Sequence, residues 1–284
     1  MKLKQFILHD THSLCWRAFY STGGLSYNNT PTGVLFGFFG TVLQLEGQFG
    51  PATNVFCFDS KQSKRKRLYP DYKKRRHTHQ NLTQNQIAAL WDLRQQIKGL
   101  RTKYLQLVGF QNIFRVPGYE ADDLIAHICQ NLQENERAII ISTDSDLLQC
   151  LGTQVKLYDP RKKFLWTLQR FRKIYEIDPW DWAVVKALSG CPTDGVKGIP
   201  GIGEKTAIKF INLTLSEGSK KYHKILSQEG IAIKRRNLPL VRLPFDGLKP
   251  IKIKPDGDLQ WGRVLRELGI RTLETDIEYR EFPK

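Results

Sequence analysis

Gln5-Phe6-Ile7-Leu8-His9-Asp10, Asn54-Val55-Phe56-Cys57-Phe58-Asp59 and Ala138-Ile139-Ile140-Ile141-Ser142-Thr143-Asp144 share one pattern: a short apolar run with little polar alternation, closed by a carboxylate. Such runs are what a parallel sheet covered on both faces produces. Between them, residues 32–45, 82–108 and 119–133 carry apolar positions at three- and four-residue spacing, which predicts helices. In the last stretch these are Ala121, Leu124, Ile125, Ile128 and Leu132. The expected fold class is therefore α/β, a central mostly parallel sheet flanked by helices, over residues 1–175. In open parallel sheets the ligand site lies beyond the carboxyl ends of the strands, so Asp10, Asp59 and Asp144 are expected to converge on one edge.

The 284 residues hold 44 Lys+Arg against 28 Asp+Glu, a formal charge of +16. An excess of that size calls for a polyanionic partner. The longest mostly apolar run, Gly33 to Leu43, falls far short of the roughly 20 residues that span a bilayer, and no basic, apolar, small-residue leader opens the chain. No membrane partner is expected. Five cysteines, Cys15, Cys57, Cys129, Cys150 and Cys191, are odd in number and form no C-x-x-C pair. Neither a disulfide framework nor a zinc site follows, and the chain is read as intracellular and reduced. Nine of the basic residues crowd one stretch, Lys61, Lys64, Arg65, Lys66, Arg67, Lys73, Lys74, Arg75 and Arg76, opposed only by Asp71. A charge run is often just a solvated face. Here Leu68, Tyr69, Pro70 and Tyr72 lie inside it and a strand-end carboxylate precedes it. The expectation is an element that grips phosphates with Lys and Arg and offers tyrosine faces for stacking.

Residues 176–230 take on helical spacing, and Gly198-Ile199-Pro200-Gly201-Ile202-Gly203-Glu204-Lys205-Thr206-Ala207 leads into Ile208, Phe210 and Ile211. A glycine turn opening a helix presents backbone N–H groups to a phosphate. A nucleotide P-loop is excluded because Glu204 intervenes before Lys205 and no apolar strand feeds the turn. Residues 231–284 are expected to be an irregular wrapping segment with a short helix at 259–268.

More carboxylates join the strand-end set: Glu120, Asp122 and Asp123 at a helix start, Asp146 beside Asp144, and Asp194 ahead of the glycine turn. Asp123 alone could serve only the helix dipole. Eight carboxylates on one sheet edge would repel unless cations were bound. With no paired histidines or cysteines, oxygen ligands favour Mg²⁺ or Mn²⁺ over zinc. Two ions roughly 4 Å apart could stabilise both the attacking and the leaving oxygen of a phosphodiester. An aspartyl-phosphate mechanism would need a second Asp two residues after Asp10, where this chain has His12.

Assembled, these residues resemble the 5′-nuclease family of flap endonucleases and 5′→3′ exonucleases, which includes stand-alone phage enzymes and the nuclease domain of bacterial DNA polymerase I. The resemblance runs from about residue 5 to about residue 215. It rests on Asp10 with Arg17-Ala18-Phe19-Tyr20, Phe58-Asp59, Tyr72-Lys73-Lys74-Arg75-Arg76, Gly118-Tyr119-Glu120-Ala121-Asp122-Asp123, Thr143-Asp144-Ser145-Asp146, and Asp194 seven residues before Gly201-Ile202-Gly203. It implies a PIN-like 5′-nuclease core with a basic helical arch over residues 61–108 and a helix-hairpin-helix-type region after residue 175. It also implies that Asp10, Asp59, Glu120 and Asp122 hold a first ion and Asp144, Asp146 and Asp194 a second, with Asp123 in an outer position. Lys73 and Arg76 would contact the scissile phosphate with help from Arg17. Lys64, Arg65, Lys66, Arg67, Tyr72, Lys74 and Arg75 would grip DNA beneath the arch. Gly201, Gly203 and Lys205 would hold duplex, with K⁺ at the turn carbonyls. One departure stands out: many relatives carry an additional Asp where this chain has Cys191. The expected activity is two-metal hydrolysis near single-strand/duplex junctions in replication or repair. Expected substrates are 5′ flaps, overhangs, nicks and RNA–DNA hybrids. A monomer in a bacterial or phage-infected cell is expected, with no polymerase domain following. The alternatives are a PIN-type ribonuclease, which has no use for the glycine turn, and a non-catalytic DNA-junction binder.

Overall fold

A computed structural model describes residues 3–74 and 82–273. In chain order, β1 (Lys4–Asp10) runs into α1 (Thr11–Thr22), and a two-residue ladder of β2 (Ser26–Tyr27) and β3 (Thr30–Pro31) precedes α2 (Gly33–Phe49) and β4 (Thr53–Cys57). After α3 (Arg65–Leu68), α4 (Gln84–Gly99) continues through a π-helical turn, Leu100–Tyr104, into α5 (Leu105–Val108) and β5 (Asn112–Phe114). Then come α6 (Ala121–Gln130), β6 (Glu136–Ile141), β7 (Val155–Asp159), β8 (Phe164–Trp166), α7 (Leu168–Tyr175) and α8 (Trp182–Ser189). The chain closes with β9 (Gly190–Cys191), β10 (Val196–Lys197), α9 (Glu204–Ile211), α10 (Lys220–Leu226), α11 (Gln228–Val241) and α12 (Trp261–Glu267). The chain divides into two compact units, each holding three strands of a sheet.

The first unit comprises Met1–Phe58, His79–Phe114 and Ile251–Lys284. Its strands lie in the order β5-β4-β1, all parallel, with Phe6 opposite Thr53 and Asp10 opposite Cys57. Ile7, Leu8, Val55 and Phe56 have no solvent exposure, which is why their runs lack polar alternation. Asp10 ends β1 and caps α1, its carboxylate accepting from Ser13 N at 3.2 Å. Thr83 and Gln86 form a capping box at the start of α4. From near the end of the chain, Trp261 of α12 stands edge-on to Phe39 and Phe110.

The second unit comprises Asp59–Thr78 and Arg115–Pro250. Parallel β6 and β7 pair Ala138 with Val155, and β8 returns antiparallel beside β7. Neither β7 nor β8 was expected: Val155-Lys156-Leu157-Tyr158 alternates too briefly to be read with assurance as a strand. Glu120 starts α6 through a box with Asp123. Late in this unit, α11 is tied to α8 by Asn237, which is fully buried and donates to Ala187 O and Lys197 O, both at 2.9 Å.

Candidate active site

In the second unit, Asp59 stands two residues past β4, and its Oδ1 accepts from Ala121 N at 2.8 Å. That bond fastens the carboxylate to the first turn of α6, whose cap is Glu120. Glu120 Oε2 in turn accepts from Lys73 Nζ at 2.7 Å and from Tyr72 OH at 3.0 Å. The same tyrosine hydroxyl lies 3.1 Å from Asp194 Oδ2, and Lys73 Nζ lies 3.8 Å from it. Tyr72 and Lys73 thus draw together two carboxylates from distant segments. Lys73 is held there by its backbone: it occupies the left-handed region at φ 53 and donates its N–H to Asp194 O at 2.7 Å. A non-glycine residue keeps that conformation only where its surroundings impose it. Burial alone would lower the Lys73 pKa, but Glu120, Asp194 and Asp122 outweigh it and hold the ammonium above its ordinary range.

Asp194 also belongs to a second cluster. Asp144 follows β6 and caps a short 3₁₀ turn, Ser145–Cys150, by accepting from Asp146 N at 2.8 Å. Asp146, Cys191 and Asp194 present ligand atoms within 4.8 Å of one another. Burial, then the neighbouring Asp144, pushes the Asp146 carboxyl up to about 6, with Lys186 opposing the rise and Asp194 adding to it. Burial, then Asp146 and Asp194, lifts the Cys191 thiol to about 11, so it is neutral at physiological pH.

Residues 5–176 match the family described as 5′-3′ exonuclease, N-terminal resolvase-like domain. The chain belongs to that 5′→3′ exonuclease family. A 5′-3′ exonuclease of Aquifex aeolicus is 31% identical over 212 residues, covering 74% of this chain and 69% of that protein. The DNA polymerase I of Mycobacterium tuberculosis is 32% identical over 215 residues, and the match spans 72% of this chain but only 22% of the polymerase. Among solved structures, the bacteriophage T5 D15 protein co-crystallised with metal ions superposes with a TM-score of 0.70 at 22% identity, covering 85% of this chain and 90% of that one. Human GEN1 in complex with Holliday junction DNA superposes at 0.53 with 16% identity, covering 94% of this chain and 68% of that one. At those identities the likeness establishes the fold, a 5′-nuclease core with a mostly parallel sheet between helices.

Within this exonuclease-family chain the basic stretch divides by fate. Arg65, expected to grip DNA, is 1% exposed and makes a bidentate pair with Asp123, both bonds at 2.7 Å. Tyr72 is 2% exposed, so its ring is no stacking face. Both expectations are corrected by burial: a group sealed in the protein interior cannot meet a nucleic-acid backbone or base. Lys64 donates to Tyr119 OH at 2.6 Å, whereas Arg67 and Lys74 are exposed and Lys66 is partly so. Arg75 and Arg76 lie outside the described residues. In the first unit, Asp10 is 6% exposed and Arg17 donates to Thr41 Oγ1 at 3.2 Å.

The glycine turn is anchored by buried Ile199 and Ile202, each 3% exposed, which leaves Gly201, Gly203 and Lys205 facing solvent. A Cβ on Gly198 would come within 2.2 Å of the Ser189 backbone, so this close approach admits only glycine. The two-residue β10 ahead of it pairs, among the described residues, only with β9 and is not the strand a P-loop needs. Sequence reading missed Lys186. Its one signal was a lone charge in an apolar helix, Trp182-Ala183-Val184-Val185-Lys186-Ala187-Leu188.

Proposed function

We propose that this 5′ nuclease hydrolyses a phosphodiester of DNA beside a single-strand/duplex junction, leaving 5′-phosphate and 3′-hydroxyl ends, with two Mg²⁺ or Mn²⁺ ions. The observation that carries the reading is the double use of Asp194, which meets Glu120 through Tyr72 and Lys73 on one side and Asp146 with Cys191 on the other. The donors suit hard dications, being carboxylate oxygens apart from one neutral thiol. An Asp146 carboxyl pushed up to about 6 by burial and like charge marks a cluster that a dication would relieve. Asp59, Glu120 and Asp122 would hold one ion, and Asp144, Asp146 and Asp194 the other. When bound, the ions supply charge stabilisation to the phosphoryl oxygens and acidify the attacking water.

The chain's own residues do the rest. Water attacks phosphorus in line with the 3′-oxygen, whose bond to phosphorus breaks. Tyr72 keeps Glu120 and Asp194 in register, and Lys73 places a cation where charge develops on the phosphate. The exposed turn at Gly201 and Gly203 offers backbone N–H groups to duplex phosphates, with K⁺ at its carbonyls. Flaps, overhangs, nicks and RNA–DNA hybrids are the proposed substrates of a monomeric intracellular enzyme.

The test is cleavage of a labelled 5′-flap DNA, run beside single-stranded RNA and beside binding alone. Activity is expected with Mg²⁺ or Mn²⁺, little with Ca²⁺, whose larger shell misplaces the oxygens, and none in excess chelator. Flap cleavage undiminished in chelator would overturn the metal reading, and preferential cutting of the RNA would make this a ribonuclease. Gly201 provides a second check, because it sits at φ 80 and a Cβ there would meet nothing within 4 Å. Gly201→Ala therefore costs only backbone strain, about 1–2 kcal/mol. Affinity for duplex-bearing substrates should fall while short single strands bind as before, and equal losses on both would refute the turn's role.

Cys191 yields a further expectation. A neutral thiol is a poor Mg²⁺ ligand, and this one lies 3.9 Å from Asp146 Oδ2. Cys191→Asp should lower the Mg²⁺ concentration for half-maximal single-turnover cleavage, with circular dichroism unchanged. Superimposable Mg²⁺ titrations of variant and wild type would show that position 191 does not tune the ion.

A further inference from the structure

Lys186 is 6% exposed at the centre of α8, an otherwise apolar helix. Its ammonium has three N–H donors, and three oxygens receive them: Ser145 Oγ at 3.1 Å, Asp146 Oδ1 at 3.2 Å and Glu204 Oε1 at 2.9 Å. The Trp182 ring centroid lies 5.5 Å from Nζ, a cation–π distance. Nothing about this lysine is adventitious: every proton has an acceptor, and the aromatic face replaces water. Two carboxylates, Asp146 and Glu204, stand against this buried ammonium, which is the setting in which a buried lysine keeps its charge.

That charge occupies a particular place. It takes Asp146 by Oδ1, while Oδ2 of the same carboxylate faces Cys191 Sγ. Asp146 is thereby turned with one oxygen toward the cluster it shares with Cys191 and Asp194. At the other end, Lys186 reaches Glu204, the first residue of the helix behind the glycine turn.

We propose that Lys186 is a positioning residue and built-in counter-cation of the second metal site, orienting Asp146 while opposing entry of the second dication until a substrate phosphate supplies further negative charge. The inference rests on the proposed role of Asp146 and Asp194 as metal ligands. Two effects of Lys186 on the ion compete. Orienting Asp146 favours binding by at most the worth of one hydrogen bond between charged groups, about ten- to a hundredfold. A unit positive charge bonded to the ligand disfavours a doubly charged ion through a poorly screened medium, and this effect is the larger. The DNA-free protein consequently holds its second ion weakly, and loading is tied to the arrival of DNA.

The experiment is Mn²⁺ titration of the DNA-free protein, followed by electron paramagnetic resonance. Lys186→Met should bind the second Mn²⁺ about tenfold or more tightly than wild type, because repulsion goes with the charge. Lys186→Arg keeps the charge and should stay near wild type. Lys186→Gln, which keeps an amide N–H for the oxygens but no charge, should bind tightly like the Met variant, and it serves if the Met variant does not fold. Unchanged or weaker Mn²⁺ binding in the folded neutral variants would overturn the proposal, since a merely structural lysine would leave affinity alone or reduce it. Asp146→Asn separates the two levels of argument. If Asp146→Asn loses the second Mn²⁺ while the Lys186 variants do not tighten it, only the role of Lys186 falls. If Asp146→Asn binds both ions as wild type does, the metal assignment itself falls and the role of Lys186 with it.

Discussion

Lys73→Ala should slow single-turnover cleavage of a flap substrate by about 10²–10³-fold, the usual cost of removing one donor aimed at developing charge, and leave duplex affinity within a few-fold. The ammonium stands 2.7 Å from Glu120 Oε2 and 3.8 Å from Asp194 Oδ2, among the carboxylates assigned to the ions and not on the outer basic surface. The substitution is unusually clean. Alanine keeps the Cβ, so the left-handed strain at φ 53 is the same in both proteins, and the N–H bonded to Asp194 O is retained. What changes is the cation. A generic phosphate grip would behave differently, weakening binding and lessening its salt dependence by about 0.9 in slope. If the variant at saturating enzyme cleaves as fast as wild type, Lys73 has no part in the chemical step.

Arg65→Met should lower stability by about 3–5 kcal/mol, because it leaves the Asp123 carboxylate buried without its cation. Asp123 has no solvent exposure, and Arg65 meets it through both Nη atoms while Nε donates to Leu240 O at 2.8 Å. Asp123 Oδ1 also accepts from Phe245 N at 2.8 Å, and Oδ2 from Glu120 N at 3.0 Å. The pair therefore ties α3, the start of α6 and the segment after α11 around one charge. At roughly 2–4 °C per kcal/mol for a domain of this size, the thermal midpoint should fall by about 6–20 °C. Arg67→Met, two residues away and exposed, is the control and should change stability by no more than about 0.5 kcal/mol. Equal melting of the two variants would mean that the buried pair contributes little.

The contrast between Arg65 and Arg67 marks where sequence reading stops. As letters the two are interchangeable, each an arginine in a basic run. Only the fold distinguishes them, through partners 58 residues away at Asp123 and 175 away at Leu240. Tyr72 follows the same rule: its expected stacking face is buried, and its hydroxyl becomes the link between Glu120 and Asp194. Lys186 is the converse case, an unremarked lysine whose importance comes from Ser145, Asp146 and Glu204 converging on it.

By itself the sequence determined what is local and periodic. Apolar runs without alternation specified the buried parallel strands β1, β4 and β6, because a strand covered on both faces has no polar side to show. Spacing of three and four specified α2, the long stretch from α4 to α5, and α6, though α1 was not expected and the π-helical turn at Leu100–Tyr104 left no periodic mark. Carboxylates at strand ends and at the start of α6 could be named as candidates because chain direction in a parallel sheet places them. Only the tertiary structure decided which charges are used where: Arg65 sealed onto Asp123, Lys73 among the carboxylates, Lys186 against Asp146. The physical reason is that a charge's role is set by its burial and its partners, and both come from segments that meet only when the chain has folded.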